Sequence, residues 1–179
     1  TAYNDYFGFT ESETKELREY YDLELSEKVK EMYDGYNFNG VEIFNPWSII
    51  NYANRKVLDY YWVNTSGNEL IMDLLSKRRE DVKLAIEKLL LGRPILITYN
   101  NKITYMDLNK ESTYNTIMNF LLICGYLTLE SKGVTDVING NDIEVRLPNN
   151  EVRSMFINML KSITYDEFNI ELSRDFTTS

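Results

Sequence analysis

Glu13-Thr14-Lys15 has the E-x-K spacing at which metal-dependent nucleases hold a carboxylate and a lysine around a phosphodiester. Those sites set the pair on a strand behind a further Asp, so that the carboxylates share Mg²⁺. Here the fragment lies in Thr10-Glu11-Ser12-Glu13, the pattern of a capping box, so it predicts the start of a helix and reads as a chance match. Asp34, beside Gly35, suits a turn hydrogen bond better than proton transfer. The richest stretch is YDGYNFNGVEIFNPWSI, from Tyr33 to Ile49. Its aromatics and those that follow are Tyr33, Tyr36, Phe38, Phe44, Trp47, Tyr52, Tyr60, Tyr61 and Trp62. Such a set can stack on bases, but Lys and Arg are sparse among them, so packing is the expected use.

The missing residue types narrow the chemistry further. The chain has no histidine and one cysteine, Cys124. Ser-His and Cys-His nucleophile pairs are therefore excluded, as are zinc sites built on His or on several thiolates. Cys124 sits in the apolar run FLLICGYL, where a buried, inert thiol is expected. No Gly is followed by Lys, so the chain carries no P-loop to cradle a phosphate. No apolar run ending in paired acids reads as a Walker B strand. The formal net charge of -9, concentrated in acids between Glu11 and Asp34, disfavours sequence-independent binding of nucleic acid. The densest positive segment, Lys77, Arg78, Arg79, Lys83, Lys88 and Arg93, reads as a solvated helix face.

The elements that must position these residues are mostly helical. A capped helix follows Thr10, and a short one follows Ser26 with Val29, Met32 and Tyr33 on one face. A turn-rich loop holding Gly35 and Gly40 comes next, with a short extended piece at Val41 to Phe44. Asn45 is a good N-cap and Pro46 fits the first helical position. Thr65 or Ser66 can cap a helix through Leu70 and Leu74. Val82, Ala85, Ile86, Leu89 and Leu90 repeat at helical spacing before Gly92. PILITY and KITYMDL read as a hairpin around Asn100-Asn101. Ser112 is expected to cap an apolar helix ending at Gly125. Strands are expected at Tyr126 to Glu130 and Ile143 to Leu147. A helix carrying Val152, Met155, Phe156, Met159 and Leu160 follows, and the tail from Thr164 is weakly patterned. The expected fold is mainly α with small antiparallel β-hairpins: a helical lid-like unit over 1–92, a hairpin plus winged-helix-like unit over 93–163, and a tail over 164–179.

At 179 residues and 44% hydrophobic, the chain suits one globular body or two small subdomains. No apolar run approaches the ~20 residues that cross a bilayer. No secretory leader is expected from TAYNDYFGF, and one cysteine fits a reducing, cytoplasmic setting.

Six segments in order, FGFTESETKEL, EKVKEMYDGYNF, IFNPWSIINY, YYWVNTSGNELI, FLLICGYLTL and RLPNNEVRSMF, resemble a bacterial family of predicted AAA-ATPase-like proteins, many of which carry a PD-(D/E)XK nuclease domain. The likeness runs from about Phe7 to Phe156. Met32 stands where a Trp is expected and Asn37 where Arg is common. The resemblance implies that this chain is a middle piece, after the P-loop core and before the nuclease. ATP and Mg would then be cofactors of the parent protein and not of this segment, and no catalytic residue carries over. In related signal-transducing ATPases, a proline at the start of a lid helix lies against the adenine. By that analogy Asn45, Pro46 and Trp47 are adenine-proximal in the parent; otherwise Trp47 plugs into the core.

The function expected on this basis is a non-catalytic lid and winged-helix regulatory segment. It would transmit nucleotide state or mediate protein interaction, with the upstream ATPase core and downstream nuclease-like domain as partners. A further protein partner could dock on the apolar face around Met155, Phe156 and Met159. The alternative is a nucleic-acid-binding winged helix, but the candidate recognition helix from Ser112 to Ile123 has no Arg or Lys.

Overall fold

The computed structural model describes residues 9–38, 41–63, 68–76, 80–108, 112–130 and 140–177. The chain is mainly helical, with two small antiparallel sheets. The order is α1 (Glu11–Tyr21), α2 (Glu27–Tyr33), β1 (Tyr36–Phe38), β2 (Val41–Ile43), α3 (Pro46–Arg55), α4 (Asn68–Ser76) and α5 (Glu80–Leu90). Then come β3 (Ile95–Thr98), a 3-10 turn (Tyr105–Asp107), α6 (Tyr114–Ile123), β4 (Thr128–Leu129), β5 (Asp142–Arg146) and α7 (Asn150–Thr177).

Local chemistry accounts for most of these boundaries. Thr10 and Glu13 form the expected capping box, with Glu13 Oε2 accepting from the Thr10 amide at 2.9 Å. Glu13 serves as a helix cap and Lys15 pairs with Glu11 at 3.4 Å, so the E-x-K fragment lies on a capped helix and not on a strand. Asn45 Oδ1 caps α3 by accepting from the Ser48 amide at 3.2 Å, with Pro46 at the first helical position. Gly92 follows α5 with φ +73°, a left-handed residue where glycine carries no Cβ penalty.

Three local expectations are corrected. PILITY does not pair with KITYMDL. Instead β3 pairs antiparallel with β5, Ile95 opposite Val145 and Ile97 opposite Ile143, and β5 also holds β4, giving the order β3-β5-β4. The reason is twofold. Asp107 accepts from both the amide and the hydroxyl of Thr104, at 2.7 and 2.8 Å, and winds KITYMDL into the 3-10 turn. Asn119 of α6 meanwhile accepts from the Asn100 amide at 2.8 Å and donates to the Thr98 carbonyl at 2.9 Å, occupying the edge a hairpin would need. The cap of α6 is Thr113, whose hydroxyl accepts from the Thr116 amide at 3.2 Å, while Ser112 donates to the Asp107 carbonyl. Finally, part of the expected loop after Asp34 is a ribbon, with Tyr36 opposite Ile43 and Phe38 opposite Val41.

Among the described residues, most buried apolar side chains fall into two clusters. The first gathers Leu23, Val29, Tyr33, Phe44, Ile49, Tyr52, Ala53 and Tyr61. The second runs from Val63 to Ile163 and includes Leu75, Ile86, Met118, Leu121, Val145 and Phe156. Residues on both sides of 92/93 share that second cluster, α4 and α5 among them. Each side chain fully removed from water contributes about 1.5–3 kcal/mol, so the larger second cluster is the main source of stability. Along α7, Val152, Met155, Phe156, Met159 and Ile163 recur at helical spacing and are all buried in it. The Met155, Phe156 and Met159 face is thus spent inside the chain and is not free for a partner. The helix continues through the weakly patterned residues after Thr164.

The Thr65/Ser66 cap, Gly40, the Phe38 ring, Gly133, Asn139 and the Lys77-Arg78-Arg79 run lie outside the described residues. Among the described residues, no helix is long and apolar enough to cross a membrane.

Candidate functional site

The stretch from Tyr33 to Ile49 lies where the two clusters meet, and the polar groups around it form a buried seam. At one end Gly35 adopts φ +96°, and a Cβ placed there would meet the Pro148 carbonyl oxygen at 2.1 Å. Only glycine lets the two backbones approach so closely. Asp34 Oδ1 accepts from the Gly35 amide at 2.7 Å, the turn bond its position suggests, and burial raises its carboxyl pKa. Arg146, at the end of β5, donates to the Gly35 carbonyl at 3.1 Å and pairs with Glu130 at 3.2 Å. The Asn37 amide donates to Thr128 Oγ1 at 2.8 Å, tying β1 to β4.

The centre of the seam is the meeting of two helix starts. Asn149 caps α7 as Asn45 caps α3, its Oδ1 accepting from the Val152 amide at 3.1 Å. The Tyr36 phenol is flanked by the Asn45 and Asn149 side chains, and burial is the main cause that raises its pKa. The Tyr36 hydroxyl and Asn149 Nδ2 are buried and make no hydrogen bond among the described residues. In the first turn of α7, the side chain of Glu151 is wholly buried. Its Oε2 accepts from Ser48 Oγ of α3 at 2.7 Å. Its Oε1 accepts from the backbone amides of Trp62 at 2.6 Å and Val63 at 3.4 Å. Burial raises its pKa, and these three donors act in the opposite direction. Beside it, Tyr60 donates to Ser154 Oγ at 3.2 Å.

Of the expected adenine-proximal residues, Asn45 and Pro46 line one cleft of about 190 Å³, together with Tyr36, Ile43, Phe44, Trp62, Ile123, Cys124 and Gly125. Trp47 is not part of that lining. It is also not plugged into the core: it is 54% exposed, and its indole N–H donates to the Tyr61 carbonyl at 3.1 Å. Ile49 and Tyr52 take the core-facing positions of α3. Tyr33, Tyr36, Phe44, Tyr52 and Tyr61 are buried, so most of the aromatic set packs. Cys124 is half-buried, and burial raises its thiol pKa.

The parent cofactors implied by resemblance can be tested against this chain's residues. Among the described residues, no group of three or more Asp, Glu or Cys comes together that could hold a metal. The cleft lining contains no Lys or Arg to meet a phosphate. The side chains that line the cleft carry no formal charge.

Sequence reasoning missed Ser48, Asn149 and Glu151. Glu151 follows Pro148-Asn149-Asn150, and an acid in the first turn of a helix ordinarily signals a solvated start. Nothing local reveals that another helix covers it. No family model matches the chain, nor does any curated protein or solved structure.

Proposed function

We propose that the chain is a non-catalytic regulatory segment, lid-like in its first cluster and winged-helix-like in its second, from a predicted AAA-ATPase-like protein. Its role is to carry nucleotide state from a neighbouring ATPase core to a downstream domain. The observation that supports this reading is the seam. Two cores are joined by directional bonds around Glu151, and a ligand that prefers one arrangement of such a joint shifts it toward that arrangement. The order α5, β3, α6, β4, β5, with β5 central, supports the winged-helix part of the reading. Asn45 and Pro46 in one cleft support the analogy with an adenine-facing lid helix, and the exposed face of Trp47 is open to a neighbouring domain.

The test is nucleotide affinity in a longer protein that includes the P-loop core. Pro46→Ala and Trp47→Ala are expected to weaken ATP binding about tenfold each, the loss of one ring contact, with the fold intact by circular dichroism. Unchanged affinity in both sinks the adenine-facing role. Tight, salt-sensitive binding of DNA by the 179-residue chain would instead favour the nucleic-acid reading.

A further inference from the structure

Glu151 is a carboxylate in an unusual position. It is wholly buried at the junction of two cores, and among the described residues no Lys or Arg pairs with it. Its three donors come from elsewhere in the chain: Ser48 from α3, and Trp62 and Val63 from the segment that leads out of the first cluster. Among the described residues, the ionisable groups acting around it include Tyr33 of α2, Tyr36 of β1 and Asp59 of the segment before Trp62, and α3 contributes the neutral Ser48. None of these supplies a positive charge.

Two effects compete at such a site. Hydrogen bonds from amides and a hydroxyl favour the ionised form, while removal from water without a counter-charge favours the neutral one. Three features weaken the ionised form. The Val63 contact is long at 3.4 Å. The Asp59 charge opposes ionisation. Ser48 Oγ can also turn from donor to acceptor, so a protonated Glu151 keeps a partner for its new O–H.

We propose that Glu151 is a proton-linked latch: closing the seam between the two cores takes up a proton, and opening it releases one. The sign follows from burial. In the open seam the carboxyl is solvated and titrates as an ordinary glutamate; in the closed seam its pKa is raised. The latch therefore contributes its full stability below the ordinary glutamate pKa and loses it as pH rises through the raised value. Acidification tightens the seam, and the placement of the first cluster on the second responds to pH without a histidine.

The test uses the full chain. The Glu151 carboxyl is followed by carbon-13 NMR, and exchange protection of the Trp62 and Val63 amides is measured across about pH 4 to 8. Glu151 is expected to titrate above ~4.3, the ordinary glutamate value. Protection of both amides should fall by up to about tenfold per pH unit between that value and the raised pKa, level off above it, and stay flat in Glu151→Gln. A titration at or below the ordinary value overturns the proposal. So does wild-type protection that follows the Gln variant across the range. If the Gln variant does not fold, the wild-type carboxyl titration decides alone.

Discussion

Two carboxylates in this chain hold nearly the same donors and are driven in opposite directions. Asp107, at the exposed turn after β3, accepts one amide and one hydroxyl, both from Thr104, and these bonds lower its pKa. Glu151, at the seam, accepts one hydroxyl and two amides, and its pKa is raised. Donor type does not separate them. Solvent does, because water stabilises the Asp107 charge whatever the turn does, whereas among the described residues the Glu151 charge has three donors and no cation. The exposed acid organises four residues; the buried one organises the contact between two cores.

That contrast can be broken most directly at Glu151. Glu151→Ala removes the acceptor that three donors share, and the loss of these bonds at a buried position is expected to cost about 3 kcal/mol in urea unfolding. Asp107→Ala should shift the same transition far less, since water replaces the lost acceptor. Equal shifts would mean that burial is not what distinguishes the two sites. Next in size is Gly35→Ala. Its Cβ collides with the Pro148 carbonyl and its φ is left-handed, so the seam must part locally, at about 2 kcal/mol. A neutral result in thermal unfolding would show that the seam is looser than its contacts imply.

Ser48→Ala sharpens the comparison within the seam. It deletes one of the three donors while the amides remain, and about 1 kcal/mol is expected. A loss as large as that of Glu151→Ala would mean that Ser48, and not the backbone, carries the joint. The smallest effect is in the pH profile. Asp107 has a depressed pKa, so its contribution is present above the ordinary aspartate value and lost as pH falls through the depressed one. Glu151 behaves in the reverse sense. The stability difference between wild type and Asp107→Asn should therefore shrink on acidification. That between wild type and Glu151→Gln should shift in favour of wild type. Profiles of the same sign would refute the contrast.

Much of the fold was legible because its signals are local. The capping box at Thr10, the Asn45-Pro46 start of α3 and the period of α5 each involve residues within about one helical turn, where side chain and backbone decide the outcome between them. The apolar character of α6 likewise announced its burial. The hairpin expectation failed because strand pairing is non-local. Nothing within PILITYNNKITYMDL says that Asn119 will claim the Thr98 carbonyl or that β5 offers the better partner. Trp47 failed differently. Its indole belongs to a helix whose buried stripe is set by neighbours across the seam, and the stripe falls on Ile49 and Tyr52.

The candidate site divides in the same way. Asn45 and Pro46 were visible from the sequence because capping chemistry is written in adjacent residues. Glu151 was not, because its environment is made by Ser48, more than a hundred positions away, and by Trp62. The sequence by itself determined the helical character, the caps at Thr10 and Asn45, and the exclusion of histidine sites and of multi-thiolate sites, all of which depend on residue type and short spacing. Only the tertiary structure decided which acid is taken out of water and which two helix starts meet. Burial is a property of what packs on a residue, and the chain brings that covering from distant positions.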